Sequence, residues 1–281
     1  MTFWELVALG LLACGRAIRT AFRSAVALTW LPMLALQALV ILALAVAAHP
    51  LLSGFMAPLL RAVSGDDALR YPQGFHRLPA LAAQAWFFGA AIVGPLCTGA
   101  AARAFAASGA GRPALAGTAL LEALRRWPSL WLAALPGALV VVGLDAALAQ
   151  LAGVRISGPT RALLPLLAGG LQIAAQAACF FPPMLVALED LNPFVAIARI
   201  PSTLEHGFVP AAVVLLLVAA VMQPFGWVAP WALGDAGHDL PEVSGVLAVA
   251  QGLALAAAGL IASGAGAFAY LAALAPGEEL R

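Results

Sequence analysis

Residues 208–232 read FVPAAVVLLLVAAVMQPFGWVAPWA, a run without a single charge. As a helix rising about 1.5 Å per residue it would be about 37 Å long, and the hydrocarbon core of a bilayer is about 30 Å thick. A strand reading fails. Membrane barrels alternate apolar and polar positions in segments of about ten residues, and this run is solid Ala, Val and Leu. In lipid every backbone amide must find a partner, and a helix supplies one within its own segment.

Five further stretches share this character, at 25–48, 79–102, 128–152, 162–188 and 243–274, with at most isolated charges near their ends. The whole chain agrees with them. It is 63% hydrophobic and 10% charged, and all fourteen basic residues are arginine. Soluble domains carry roughly a quarter charged residues. A formal charge of +1 predicts no long-range attraction to nucleic acid. Glu5 stands early and Arg16 and Arg19 follow an apolar stretch, which is the reverse of a cleavable signal sequence.

With the first span starting at the N-terminal side, the arginines divide unequally. Arg16, Arg19, Arg23, Arg103, Arg112, Arg125, Arg126, Arg199 and Arg281 share one side; Arg61, Arg70, Arg77, Arg155 and Arg161 share the other. The positive-inside rule then places both termini in the cytoplasm. Trp30, Trp127 and Trp131 fall at cytoplasmic span ends, and Trp86, Trp227 and Trp231 at outer ends, where indole rings favour the headgroup level.

Three segments ahead of spans one, three and five are alike: 4–23, 114–127 and 193–206. In the second, Leu120, Leu121 and Leu124 oppose Glu122, Arg125 and Arg126. In the third, Asn192-Pro193 is a strong helix start, a side-chain cap followed by a residue with φ already set. These are expected to be cytoplasmic-side amphipathic elbow helices lying in the interface. The expectation is therefore an all-α, polytopic membrane helix bundle: one integral membrane domain over 1–281, six transmembrane helices, three elbows, and three repeats of an elbow plus two spans. Arg19, Arg125 and Arg126 are candidate lipid-headgroup contacts.

Polar and helix-breaking residues inside spans point to function or packing. Gln172 and Gln176 lie four apart and make a polar face, suited to interhelical hydrogen bonds worth about 1 kcal/mol. Pro95, Pro182 and Pro183 are candidate kinks because proline removes a helical donor and crowds the preceding turn. Gly264 and Gly266 are candidates for the same part in span six. Outer loops are expected at 49–78, 153–161 and 233–242. The first carries Asp66, Asp67, Arg70, His76 and Arg77, and the third Asp235, His238, Asp239 and Glu242, neither with metal-ligand spacing. Cys14, Cys97 and Cys179 form no CxxC pair and read as small apolar fillers. HExxH, P-loop and CxxCH patterns are absent, and His49, His76, His206 and His238 all fall outside the spans. No catalytic, cofactor or metal residue is assigned, and no enzymatic activity is expected.

Two stretches carry a family resemblance: GPLCTGAAARAF at 94–105 and FFPPMLVALEDLNPFVAIARIPSTLEHG at 180–207. Together they resemble a bacterial six-span family that includes the membrane domain of glycerophosphoryl diester phosphodiesterases and YciC-like uncharacterised membrane proteins. Gly94, Pro95, Leu96 and Gly99 match its first pattern. Pro183, Glu189, Pro193, Ala196 and Ser202 match its second, and Pro201 departs from it. The resemblance implies a multi-pass protein of the bacterial inner membrane. Where a phosphodiesterase catalytic domain occurs in that family it is a separate soluble domain, and none of its activity is carried over. The sequence thus points to a non-catalytic, lipid-binding membrane subunit or scaffold with membrane lipids and other membrane proteins as partners. The alternative is a transporter or permease-like protein for a small or lipidic substrate.

Overall fold

The computed structural model describes residues 1–23, 25–46, 54, 57, 58, 61, 62, 65, 66, 87–152, 160–233 and 242–273. The helices are α1 (Phe3–Arg23), a 3-10 turn (Ala25–Trp30), α2 (Leu31–Val46), a segment at 87–92 leading to α3 (Gly94–Gly109), α4 (Ala116–Arg125), α5 (Trp127–Ala152), α6 (Thr160–Ala178), α7 (Pro182–Leu188), α8 (Pro193–Ala198), α9 (Ile200–Leu233) and α10 (Glu242–Ala273). No strand occurs among the described residues. Among the described residues, five stretches are long and apolar enough to cross a bilayer: Ala25–Leu42, Trp127–Leu144, Leu167–Leu188, Ile200–Phe225 and Val246–Ala273. Large side chains such as Leu39, Leu139, Leu171, Leu216 and Leu253 are exposed on them. A water-soluble protein rarely exposes such contiguous apolar surface, so the chain is an all-helical, multi-pass membrane protein. The expected span at 79–102 begins outside the described residues, as do most of the outer loops; within the first of these loops Arg61 and Asp66 form an exposed ion pair at 2.5 Å.

The chain divides into two compact units, Met1–Thr29 with Pro95–Val218 and Gly259–Arg281, and Trp30–Gly94 with Ala219–Ala258. In the first, α5 packs on α6, α7 and α8. Its interior is unusually fine-grained. Ala17, Ala100, Ala101, Ala196, Ala211, Ala265 and Ala267 are fully buried beside a few large groups, chiefly Phe105, Leu130, Phe181 and Met184. Small residues let helix backbones approach closely, the arrangement that lipid favours because apolar burial alone drives no association there. α10 runs unbroken through Gly264 and Gly266, which end no helix there. Their missing Cβ atoms make room instead: a Cβ on Gly264 would stand 2.6 Å from the Phe105 ring, and one on Gly266 2.6 Å from Phe180. In the second unit Gln37 presses its amide against Gly252. Oriented to match donors with acceptors, it donates to the Gly252 carbonyl and accepts from the Gly252 N–H, each at 3.3 Å.

The prolines act differently from one another. At Pro182-Pro183 two consecutive donors are missing, and the chain cannot stay helical. α6 ends at Ala178, Phe180 N–H drops back to Ala177 O, and α7 begins with both prolines in its first turn, where no donor is needed. Pro95 sits at the second position of α3, just after a turn at Val93. Pro136 by contrast lies inside a continuous α5.

Of the three expected elbows, α1 spans the first and α4 most of the second. The third is not one helix. α8 stops at Ala198, and residues 200–206 belong to α9, the long helix that also carries the fifth expected span. Pro201 has no N–H for the Ile197 carbonyl, so the helix must restart, and Thr203 N–H bonds Arg199 O as the first link of α9. The Asn192 cap forms as the Asn-Pro pair suggests, its side chain accepting from Phe194 N–H at 3.0 Å. α1 carries a cap the reading above did not use. Thr2 N–H donates to Glu5 Oε2 at 2.6 Å, and Glu5 N–H donates to Thr2 Oγ1 at 3.4 Å, a reciprocal capping box written in the sequence as Thr-x-x-Glu. The Thr2 N–H holds the Glu5 carboxyl below its usual range.

Candidate functional site

On α1 and α4, helical geometry sorts the residues into three sectors, where the sequence suggested two faces. Leu6, Ala13, Cys14 and Ala17 of α1 are buried against the unit, and burial raises the Cys14 thiol above its usual pKa. Next around the helix, Trp4, Leu11, Ile18 and Phe22 form an exposed apolar stripe, Phe22 at 89%. Beyond it come Glu5, Arg16 and Arg19, all exposed and interrupted by Leu12. α4 repeats the order: Ala116, Ala119 and Ala123 buried, Leu121 and Leu124 exposed, then Arg125, Thr118 and Glu122. On α4 the alanines occupy the contact with the protein, and Leu121 and Leu124 are left exposed. In α8, Pro193 and Ala196 are buried and Phe194 takes the exposed apolar place.

A charged network gathers where these elements meet. α7 ends with Glu189 as its cap and Asp190 in the left-handed region at φ 59°, a conformation that usually follows a helix end and that Asp tolerates better than most residues. This turn presents two adjacent carboxylates to four other parts of the fold. Arg103 of α3 reaches Glu122 of α4 at 2.5 Å through Nη1 and Asp190 through Nη2. Arg126, at the α4–α5 junction, reaches the same Asp190 oxygen at 2.5 Å. Arg199, at the α8–α9 junction, holds Glu189 Oε2 at 2.8 Å, and the buried Tyr270 hydroxyl of α10 donates to Glu189 Oε1. Arg103 is the inner member, 21% exposed, while Asp190 is 54% exposed. Exposed pairs contribute about 0–1 kcal/mol each. The weight of the network lies in joining α3, α4, α5, α7, α9 and α10 at one end.

Beside it lies an open cleft of about 440 Å3, lined by Arg103, Arg112, Leu115, Thr118, Glu122 and Asp190 with several alanines. Arg112 is exposed and has no carboxylate partner among the described residues. The first turn of α4 forms one wall, and Leu115 at its cap position supplies no side-chain acceptor.

The structure brings together some of the residues singled out in the sequence and not others. Arg126 is in the network and so is partly occupied by Asp190; Arg125 is exposed on α4 outside it. Arg19 is exposed on α1. Gln172 and Gln176 are half-buried on α6, away from the cleft lining. Pro95, Pro182 and Pro183 take a positional role, starting the two helices that carry Arg103 and the Glu189-Asp190 turn. Trp30 is buried, with its indole N–H unpartnered among the described residues, so its ring packs inside the protein. Trp86 and the side chains of Trp227, Trp231 and Asp145 lie outside the described residues, as do Asp235, His238 and Asp239. No cluster of three or more metal-ligating side chains occurs among the described residues. Sequence reading missed the network. Its signal was present: Arg103 is the one charge in residues 79–109, Glu189-Asp190 one of two adjacent acidic pairs between spans, with Asp66-Asp67, and Tyr270 one of only two tyrosines. No protein-family model, curated protein or solved structure matches the chain.

Proposed function

We propose that this protein is a non-catalytic subunit or scaffold of a larger assembly in a bacterial inner membrane, with both termini cytoplasmic and its elbow helices seated on lipid at the cytoplasmic face. The observation that carries this reading is the three-sector pattern of α1 and α4. A helix with one side on protein, one bare and apolar, and one charged fits the boundary where protein, acyl chains and water meet. The likeness of 94–105 and 180–207 to the six-span family supports the same reading, since that family implies a membrane scaffold.

Two experiments bear on it. With the native cysteines replaced and single spin labels placed along α1 in nanodiscs, labels at 4, 11, 18 and 22 are expected to be accessible to oxygen, and labels at 16 and 19 to a water-soluble relaxant. Equal access by the water-soluble reagent at all six positions defeats the interfacial seating. For the subunit role, extraction in mild detergent is expected to yield a complex of fixed stoichiometry that survives size exclusion. A protein that purifies alone and, in proteoliposomes, sustains a solute or lipid flux abolished by Gln172→Ala with Gln176→Ala is a transporter, and the scaffold reading then fails.

A further inference from the structure

The charge inventory of the cleft carries an assignment of its own. Arg103 and Arg126 are balanced by Glu122 and Asp190, two cations against two anions within contact distance. Arg112 stands in the same cleft as surplus positive charge. The lining itself holds two arginines and two carboxylates; because Arg126, outside the lining, also pairs with Asp190, Arg112 has no carboxylate partner among the described residues and is available to a ligand group carrying one negative charge. It also offers acceptors: the contacts to Arg103 and Arg126 use Glu122 Oε2 and Asp190 Oδ1, leaving Glu122 Oε1 and Asp190 Oδ2 without a protein partner among the described residues. The remaining lining is alanine, Pro113, Thr118, Leu188 and Leu115, which is 60% exposed. Leu121 and Leu124 are exposed on another face of α4, beyond Arg125.

An anion acceptor, hydrogen-bond acceptors and an apolar margin in one cleft match one chemical class. We propose that the cleft binds the phosphodiester headgroup of a glycerophospholipid, with Arg112 on the phosphate and the free oxygens of Glu122 and Asp190 receiving donors from the headgroup. The phosphodiester supplies the single negative charge. An ethanolamine ammonium or glycerol hydroxyls supply the donors, whereas the trimethylammonium of choline supplies none. The volume of about 440 Å3 falls in the range of small-molecule sites. This assignment rests on seating α4 at the membrane surface, and it adds which lipid group is held and by which side chains.

The test is equilibrium binding of the full chain in detergent, read by calorimetry, with short-chain phosphatidylethanolamine, phosphatidylglycerol and phosphatidylcholine and with inorganic phosphate as separate probes. The ethanolamine and glycerol lipids are expected to bind about tenfold more tightly than the choline lipid and than inorganic phosphate, since each charge-assisted hydrogen bond is worth roughly a factor of ten. Arg112→Gln is expected to weaken both lipids about tenfold or more, and Arg61→Gln, an exposed arginine outside the cleft, to change them less than twofold. Phosphate binding as tightly as the lipids makes the site one for a free anion and overturns the assignment. So does equal binding of the choline lipid, an unaffected Arg112→Gln, or an equal loss in Arg61→Gln, which would mark diffuse surface attraction. Arg112 is exposed and unpaired among the described residues, so its replacement does not threaten folding. Spin labels on α1 that remain in water defeat the interfacial seating; labels in lipid with binding indifferent to Arg112 defeat the cleft alone.

Discussion

Gly264→Leu is expected to destabilise the protein by about 3 kcal/mol, near the upper end for overpacking a filled interior. Even the first added carbon would meet the Phe105 ring at 2.6 Å. Phe105 is fully buried and packed edge-on to Phe268 at 5.8 Å between ring centroids, so the ring cannot swing clear. Two effects oppose each other here. Replacing a mid-helix glycine favours the helix by up to about 1 kcal/mol, and overpacking costs more, so the sum is unfavourable. Gly143→Leu, on α5, supplies the contrast, because nothing lies within 4 Å of a Cβ there. It is expected to be neutral or mildly stabilising. The measurement is the fraction of monodisperse protein left after heating in detergent. Equal losses for the two variants would mean that the close approach to Phe105 does not decide the outcome at Gly264.

Substitutions at Asp190 are expected to fall in the order Asn, Gly, then Val, with Asp190→Val costing about 3 kcal/mol. Asparagine tolerates the left-handed backbone at φ 59° but removes the charge. Its cost is that of ion pairs to Arg103 and Arg126 at a half-exposed side chain, about 1 kcal/mol after screening by solvent. Glycine removes the strain and the side chain together. Valine removes the charge and adds about 2 kcal/mol of backbone strain, because a β-branched residue strongly disfavours this region. Thermal unfolding followed by size exclusion separates the cases. Valine no worse than asparagine would refute the backbone argument; asparagine without effect would show that the ion pairs contribute nothing to stability.

The spans were legible because lipid imposes a composition that needs no partner to read. A run such as 208–232 has one stable solution whatever packs beside it. The Asn192-Pro193 start was legible for a similar reason, since a cap is a local exchange of hydrogen bonds. The third elbow was misjudged because Phe194, Ile197, Pro201 and Leu204 keep helical spacing across a break, and periodicity does not register a missing N–H. The close packing at Gly264 and Gly266 was not legible, because a glycine in a helix reads as weakness until the neighbour filling its space is known. The network was the least legible part. Arg103, Glu122 and Asp190 come from three separate segments, and only the packing of α3, α4 and α7 brings them together. On α4 the leucines drew attention, whereas the alanines make the contact. In a chain so rich in alanine, leucine and valine, what a residue lacks decides whether it can sit between helices.

The order of sectors on α1 and α4 has one more consequence. A right-handed helix read from its N-terminus turns in a fixed sense, and on both helices protein, acyl and water sectors follow in the same rotation. A helix lying on a given membrane surface with protein to one side can travel in either of two directions, and these directions demand opposite rotations. Equal rotation at one surface therefore means equal travel: walking along either helix from N to C, one keeps the protein on the same hand. Seated on one membrane surface as proposed, the two helices would circulate alike, as successive laps of one winding do, and a helix inserted backwards at either place would turn its arginines into the oil.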